Sequence, residues 1–187
     1  MGGQTSVNLT TSIAVPGQLA DENLDDKIVS YPAGEAIEFG RLCEVSSNGQ
    51  IFKVRGSGST IAAFQGVVGV SVFDVAREQQ LAATGGSAGS GNYQSGDMVP
   101  VLRKGRIFGA WDGSGSQSVF GTPAVNHPST SDPSDLRGVF SNGSVTTTAG
   151  SEITALPASY LEIKDVSTKT NSGDPLVCLL ELNLPGV

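Results

Sequence analysis

Few residues in this 187-residue chain have the types and spacing that chemistry needs. His127 is the single histidine, between Asn126 and Pro128 in a stretch that reads as loop. A transition-metal site draws several His, Cys or carboxylate ligands at short spacing, and none converges on it. Serines and aspartates are plentiful, yet no Gly-x-Ser-x-Gly elbow is there to present a nucleophile. Asp112-Gly113-Ser114 has the composition of an aspartic-protease loop with its last two residues in the wrong order, and no second such loop accompanies it. Nor does Asp112 to Gly115 offer the alternating oxygen ligands of a calcium loop. The Gly-rich stretches open no long helix, so they make no phosphate cradle. The expectation is a protein without catalytic residues, metal or cofactor, and not an enzyme.

Charge and cysteine usage narrow the classes further. Net charge is −7, with nine acids in residues 1–93 and nine in residues 94–187. A nucleic-acid binder usually carries a basic face that releases phosphate counterions. The tightest basic cluster is Arg103, Lys104 and Arg106, which reads as a solvated turn or a contact to an acidic partner. No direct nucleic-acid partner is expected. Cys43 and Cys178 are the only cysteines. Both fall in apolar strand patterns where a thiol behaves as a small hydrophobe, and a single disulfide between them stays open. No apolar run approaches the roughly 20 residues that span a bilayer, and no signal peptide is visible, so no membrane partner is expected and synthesis is placed in a cytoplasm.

The elements that would position such residues are strands. With 25 Gly and only 16% charged residues, and with abundant Ser, Thr and Val, the composition suits short strands and frequent turns. The organising stretch is Tyr93 to Trp111. It reads as a hairpin: a polar turn Tyr93–Asp97, a strand Met98–Arg103, a reversal at Lys104-Gly105 and a return strand Arg106–Trp111. Pro100 cannot donate a ladder bond, which predicts an edge strand or a neighbouring bulge. Upstream, Ala36–Val45 and Gln50–Arg55 flank Asn48-Gly49, a strong hairpin signal, with Phe52 and Val54 inward and Lys53 outward. Phe64 to Val75 carries apolar residues on both faces, as a central strand does. AREQQLAA, residues 76–83, predicts one or two helical turns. Downstream, a short strand at Phe120–Val125 precedes an irregular stretch Pro128–Asp135. A second Asn-Gly hairpin is read around Asn142-Gly143. Ser159–Val166 and Leu176–Leu184 alternate well, the last with Leu176, Cys178, Leu180, Leu182 and Leu184 on one face.

The count of roughly eight to ten strands predicts an all-β fold, a compact β-barrel or sandwich-like domain with long Gly/Ser-rich loops. Residues 1–20 are small and polar with few alternating positions, and are read as an extended N-terminal arm ahead of a single domain at 21–187.

Several phrases occur together and in order: Val15-Pro16-Gly17-Gln18-Leu19-Ala20-Asp21, Tyr31-Pro32-Ala33-Gly34-Glu35-Ala36-Ile37, Phe64-Gln65-Gly66-Val67-Val68-Gly69-Val70, Tyr93 to Ile107, and Leu179-Leu180-Glu181-Leu182. The set resembles the structural cement, or capsid decoration, proteins of tailed bacteriophages, over most of the chain from about residue 15. That resemblance implies a β-domain on the capsid exterior of the virion, bound to the major capsid protein, commonly as a homotrimer, with a dimer as the alternative. The interface residues expected on this basis are Val15, Pro16, Gly17, Gln18 and Leu19, with Arg103, Lys104 and Arg106. Ala76–Gly91, Asp112–Asp135 and Ser141–Ala158 are longer than in compact members. Two other readings are open: a tail or baseplate β-module, and a virion-surface carbohydrate-binding module stacking sugars on Trp111, Tyr93 or Tyr160.

Overall fold

A computed structural model of the chain describes residues 14–20, 26–54, 66–77, 91–111, 124–128, 137–141, 151–155, 161–166 and 176–184. Twelve strands run through them: β1 (Lys27–Pro32), β2 (Ile37–Glu38), β3 (Leu42–Val45), β4 (Ile51–Lys53), β5 (Val67–Ser71), β6 (Asn92–Tyr93), β7 (Met98–Ala110), β8 (Ala124–Pro128), β9 (Val139–Ser141), β10 (Ser151–Ala155), β11 (Leu161–Val166) and β12 (Val177–Asn183). One short helical turn occupies residues 75–77. The main sheet has seven strands in the order β11-β12-β7-β5-β3-β4, with β1 added on β7. Its path does not return on itself, so the mostly-β expectation holds while no closed barrel forms among the described residues.

β7 corrects the expected hairpin. Met98 to Ala110 is one unbroken strand of 13 residues. β1 pairs along Met98 to Lys104, and β12 pairs along Lys104 to Ala110, so the chain runs straight through Lys104-Gly105. What the sequence marks there is a bulge. Lys27 faces Lys104 and Ile28 faces Leu102, which makes Arg103 the extra residue of the register shift between them. A bulge bends its strand and changes which face a side chain meets. Accordingly Val99 and Val101 enter one core cluster, whereas Leu102 and then Ile107 enter the other. Gly105, at φ 124°, packs against the Asp26 carboxylate where a Cβ would collide. The glycine serves a close approach and not a reversal.

Pro100 stands in this central strand, on the approach to the bulge at Arg103, and not at an edge. The β5 register runs Val70 to Leu102 and Ser71 to Val101, so Val72 comes opposite Pro100. Val72 N–H donates to the Pro100 carbonyl at 2.9 Å. Proline returns no N–H, and the Val72 carbonyl accepts instead from the Tyr93 hydroxyl at 2.7 Å. The side chain thereby supplies the bond that the backbone lacks.

The Asn48-Gly49 hairpin is present, pairing Cys43 with Lys53 and Val45 with Ile51. Its facing differs from expectation. Lys53 points inward, 3% exposed, because Glu38 waits there with both carboxylate oxygens within 3.2 Å of Nζ. Phe39-Gly40 turns the chain between β2 and β3, and Leu42 and Cys43, successive on β3, alternate into opposite core clusters. β5 is buried along its whole length between β3 and β7, as a central strand should be. In its pairing with β3, Cys43 faces Gly69 and Glu44 faces Val67, so Val68 is extra and turns to the other core.

Leu161 and Ile163 of β11, and Cys178, Leu180 and Leu182 of β12, are buried as their alternation predicts. β8, β9 and β10 form a separate three-stranded sheet in the order β10-β8-β9. His127 therefore lies on a strand, opposite Glu152, and not in a loop. Of the strand expected at Phe120–Val125, Ala124 and Val125 fall in β8, which runs on to Pro128, and residues 120–123 lie outside the described residues. β9 pairs with β8; residues 142–150, which carry the second expected Asn-Gly hairpin, lie outside the described residues. Both cysteines are buried thiols in different core clusters, with no disulfide between them.

Candidate interface surface

The phrase Val15 to Leu19 is built as a clasp. Val15 accepts at its carbonyl from Gln18 N–H at 3.1 Å, closing a turn with Pro16 and Gly17 at its centre. Proline fixes the first central φ and glycine supplies the positive second one, here 81°, as a type II turn requires. Gly17 N–H then donates to the Phe108 carbonyl at 2.6 Å, and its own carbonyl accepts from Phe73 N–H at 2.7 Å. Phe108 N–H donates to Gln18 and Ala20 N–H to Arg106. A Cβ on Gly17 would stand 2.7 Å from Phe73 N and 2.9 Å from the Ser71 carbonyl. Pro16 and Gly17 are buried, and Val15, Gln18 and Leu19 are half-buried, Leu19 against the core. Residues 14–20 of the expected arm are thus tied to the chain's own sheet, and residues 1–13 lie outside the described residues.

The basic trio divides. Arg103 is 4% exposed, at the bulge, and its carbonyl accepts from Leu184 N–H. Lys104 is exposed, between Lys27 on β1 and Asn183 on β12. Arg106 is also exposed, with Nη2 4.0 Å from Glu181. Beside it Lys164 reaches Glu162 at 2.8 Å and Glu181 at 2.9 Å. The hydrogen bond that Lys164 donates to Glu181 holds that carboxyl below its usual range, and the bonds that it donates to Glu162 and Glu181 hold Lys164 above its own. The result is an alternating charge ladder on the outer face of β7, β12 and β11.

A second polar group surrounds the turn before β7. Asp97 accepts from Gln94 N–H at 2.6 Å and from Arg77. Those two donors, the backbone one first, keep its carboxyl below the usual range. Arg77 also lies over the Tyr93 ring at 4.8 Å and pairs with Asp74 at 3.5 Å. Asp74, Arg77, Gln94 and Asp97 line an open hollow with Ala76. Every charged group in it serves a turn or a pair. Burial pushes the Tyr93 phenol and the Cys43 thiol up, away from nucleophilic use.

Third comes a structural network that sequence reading missed. Glu35 pairs with Arg137 at 3.0 Å, and Arg41 donates to the Arg137 carbonyl at 3.1 Å. Together with Leu42 N–H donating to Gly138, these contacts tie the segment leading into β9 to the β2–β3 region. No spacing in the chain connects Glu35 with Arg137, so only the fold reveals the pair. Trp111 and Tyr93 are buried, 8% and 1% exposed, and present no ring for sugar stacking. Tyr160 lies outside the described residues. No group of His, Cys, Asp and Glu able to hold a metal occurs among the described residues.

A family model described as structural cement protein (E217 gp24/Pam3 gp6) matches residues 3–175. No curated protein matches the chain significantly.

Proposed function

The chain belongs to the structural cement protein family of bacteriophages, and from that we propose that it decorates the phage head. It binds the outer face of the major capsid protein lattice, bridges neighbouring capsomers and holds the DNA-filled shell. It is made in the host cytoplasm and ends on the capsid exterior. Self-association, as a trimer or alternatively a dimer, belongs to the same proposal. The observation that carries it is the family match over nearly the whole chain, from residue 3 to residue 175.

The physical arrangement supports adhesion without catalysis. Buried strands on β7 make a stiff body, and the exposed charges Lys104 and Arg106 sit mid-sheet on it. Many copies of a weak contact, each engaging more than one subunit, raise avidity by about 10²–10⁴. Lys104 and Arg106 are the expected interface residues left on the surface. Val15 to Leu19 enter the proposal as the anchor from which residues 1–13 extend toward a neighbour's sheet edge.

Co-sedimentation tests this. The full chain is expected to pellet with expanded, empty heads and not with isolated tails. Removing residues 1–13 leaves the clasp whole and is expected to weaken capsid binding. Binding to tails alone would move the protein to a tail or baseplate role.

A further inference from the structure

Asn48-Gly49 holds two groups that react with each other, and the fold uses them only as a turn. In an Asn-Gly pair no side chain crowds the glycine nitrogen, which attacks the asparagine Cγ. The new N–Cγ bond closes a five-membered succinimide. The Cγ–Nδ2 bond breaks, and the proton lost by the nitrogen leaves with Nδ2 as ammonia. Water then opens one of the two imide C–N bonds, giving aspartate or isoaspartate. Both residues are exposed here, and a Cβ on Gly49 would meet nothing within 4 Å, so water and base reach the pair.

The turn holds the reacting atoms apart. Gly49 N–H donates to the Ser46 carbonyl at 2.9 Å, closing a β-turn with Ser47 and Asn48 at its centre. In type I and II turns and in their mirror images, the second central residue has ψ of about 0°. Gly49 N then eclipses Asn48 N and lies a third of a rotation away from Cβ. Ring closure needs it to eclipse Cβ instead. The rotation required carries Gly49 N–H off the Ser46 carbonyl.

The side chain is fastened as well. Asn48 Nδ2 donates to Gln50 Oε1 at 2.7 Å, and Asn48 Oδ1 accepts from Gln50 N–H at 3.1 Å. Ser46 N–H donates to the Gln50 carbonyl at 2.8 Å, which ties Gln50 across the hairpin. Gln50 N–H polarises the carboxamide, yet that has no effect while Gly49 N cannot reach Cγ. We propose that Asn48 is a deamidation site kept closed by this hairpin, with Gln50 as the latch. Succinimide forms only when the tip between β3 and β4 opens. The change is one-way, because isoaspartate adds a methylene to the main chain and a carboxylate to the tip. Neither the turn nor the Nδ2 bond re-forms, and the pairing of Val45 with Ile51 loses its closure.

The test reads isoaspartate at Asn48 by peptide mass and by enzymatic methylation. The full chain is aged in mildly alkaline buffer, and in parallel in the same buffer with urea. The folded chain is expected to convert at least about tenfold more slowly than the unfolded one, as groups reached by local opening do. Gln50→Ala removes the acceptor for Nδ2. It is expected to speed conversion of the folded chain about fivefold, the shift that one net hydrogen bond gives, with the urea rate and the thermal melt unchanged. Gln50→Glu keeps an acceptor oxygen and is expected to stay as slow as the wild type. Equal rates with and without urea overturn the closed site. Gln50→Ala at the wild-type rate, or Gln50→Glu as fast as Gln50→Ala, overturns the latch. Faster conversion that comes with a lower melt overturns it too, because loss of the fold would then be what exposes Asn48. No capsid enters the test, so the adhesion reading stands or falls separately.

Discussion

Tyr93 shows how a residue's type can mislead when its neighbours are unknown. Read alone, it is an aromatic that could stack a sugar. In the fold its ring packs edge-on against Phe39, and its hydroxyl gives the Val72 carbonyl the bond that Pro100 withholds. Nothing in the spacing of Pro100, Val72 and Tyr93 announces this, because the three meet only through strand register. Tyr93→Phe leaves a carbonyl unsatisfied, which costs about 1–3 kcal/mol. At about 2–4 °C per kcal/mol for a chain of this size, a melting temperature several degrees lower is expected by calorimetry. Adding Pro100→Val in the same chain restores a donor and should recover part of the loss; strict additivity would argue against the pairing. Asp97 carries a second residue-scale expectation. Its folded carboxyl titrates below its unfolded one, so it contributes stability that is present above about pH 4 and lost as pH falls through the folded value. Asp97→Asn should melt lower at neutral pH and show a shallower fall in melting temperature on acidification. An acid limb as steep as the wild type's would contradict that role.

Among the elements, alternation was readable where a strand has one buried face. Leu161 and Ile163 of β11 and Cys178, Leu180 and Leu182 of β12 are buried as alternation sets them, and Asn48-Gly49 marks its hairpin because only residues tolerant of positive φ fit that turn. β5 was readable as central because both of its faces are apolar. The patterns failed where one signal serves two geometries. A glycine after a lysine between two apolar runs suits a hairpin or a bulge equally, and β7 takes the bulge. Lys53 failed for another reason: a lysine reads as outward unless its partner is known, and Glu38 lies 15 residues away in sequence. The clasp at Val15 to Leu19 was legible as a motif but not in its role. Its Pro-Gly turn makes four backbone bonds to the chain's own sheet through Gly17, Gln18 and Ala20. β7 binds β1, β5, β12 and this clasp, so its amides should exchange only on global unfolding. Hydrogen exchange read by peptide is expected to show Val101 to Gly109 as the slowest segment. Faster exchange there than in β4 would contradict the central place of β7.

At the scale of the whole molecule, composition and family phrases carried more than any single residue. Low charge content, abundant Gly, Ser and Val, and the ordered phrases pointed to a β-rich phage structural protein, and the family match from residue 3 to residue 175 agrees. Among the described residues, chemistry-bearing types serve structural contacts: buried thiols, a phenol donating to a carbonyl, and carboxylates paired with lysines, arginines and turn amides. The most direct measurement is the thermal melt of phage heads assembled with and without this chain. Heads carrying it are expected to release DNA at a higher temperature, and adding the purified chain back to bare heads should restore the difference. Identical release temperatures with the chain fully bound would contradict the cement role.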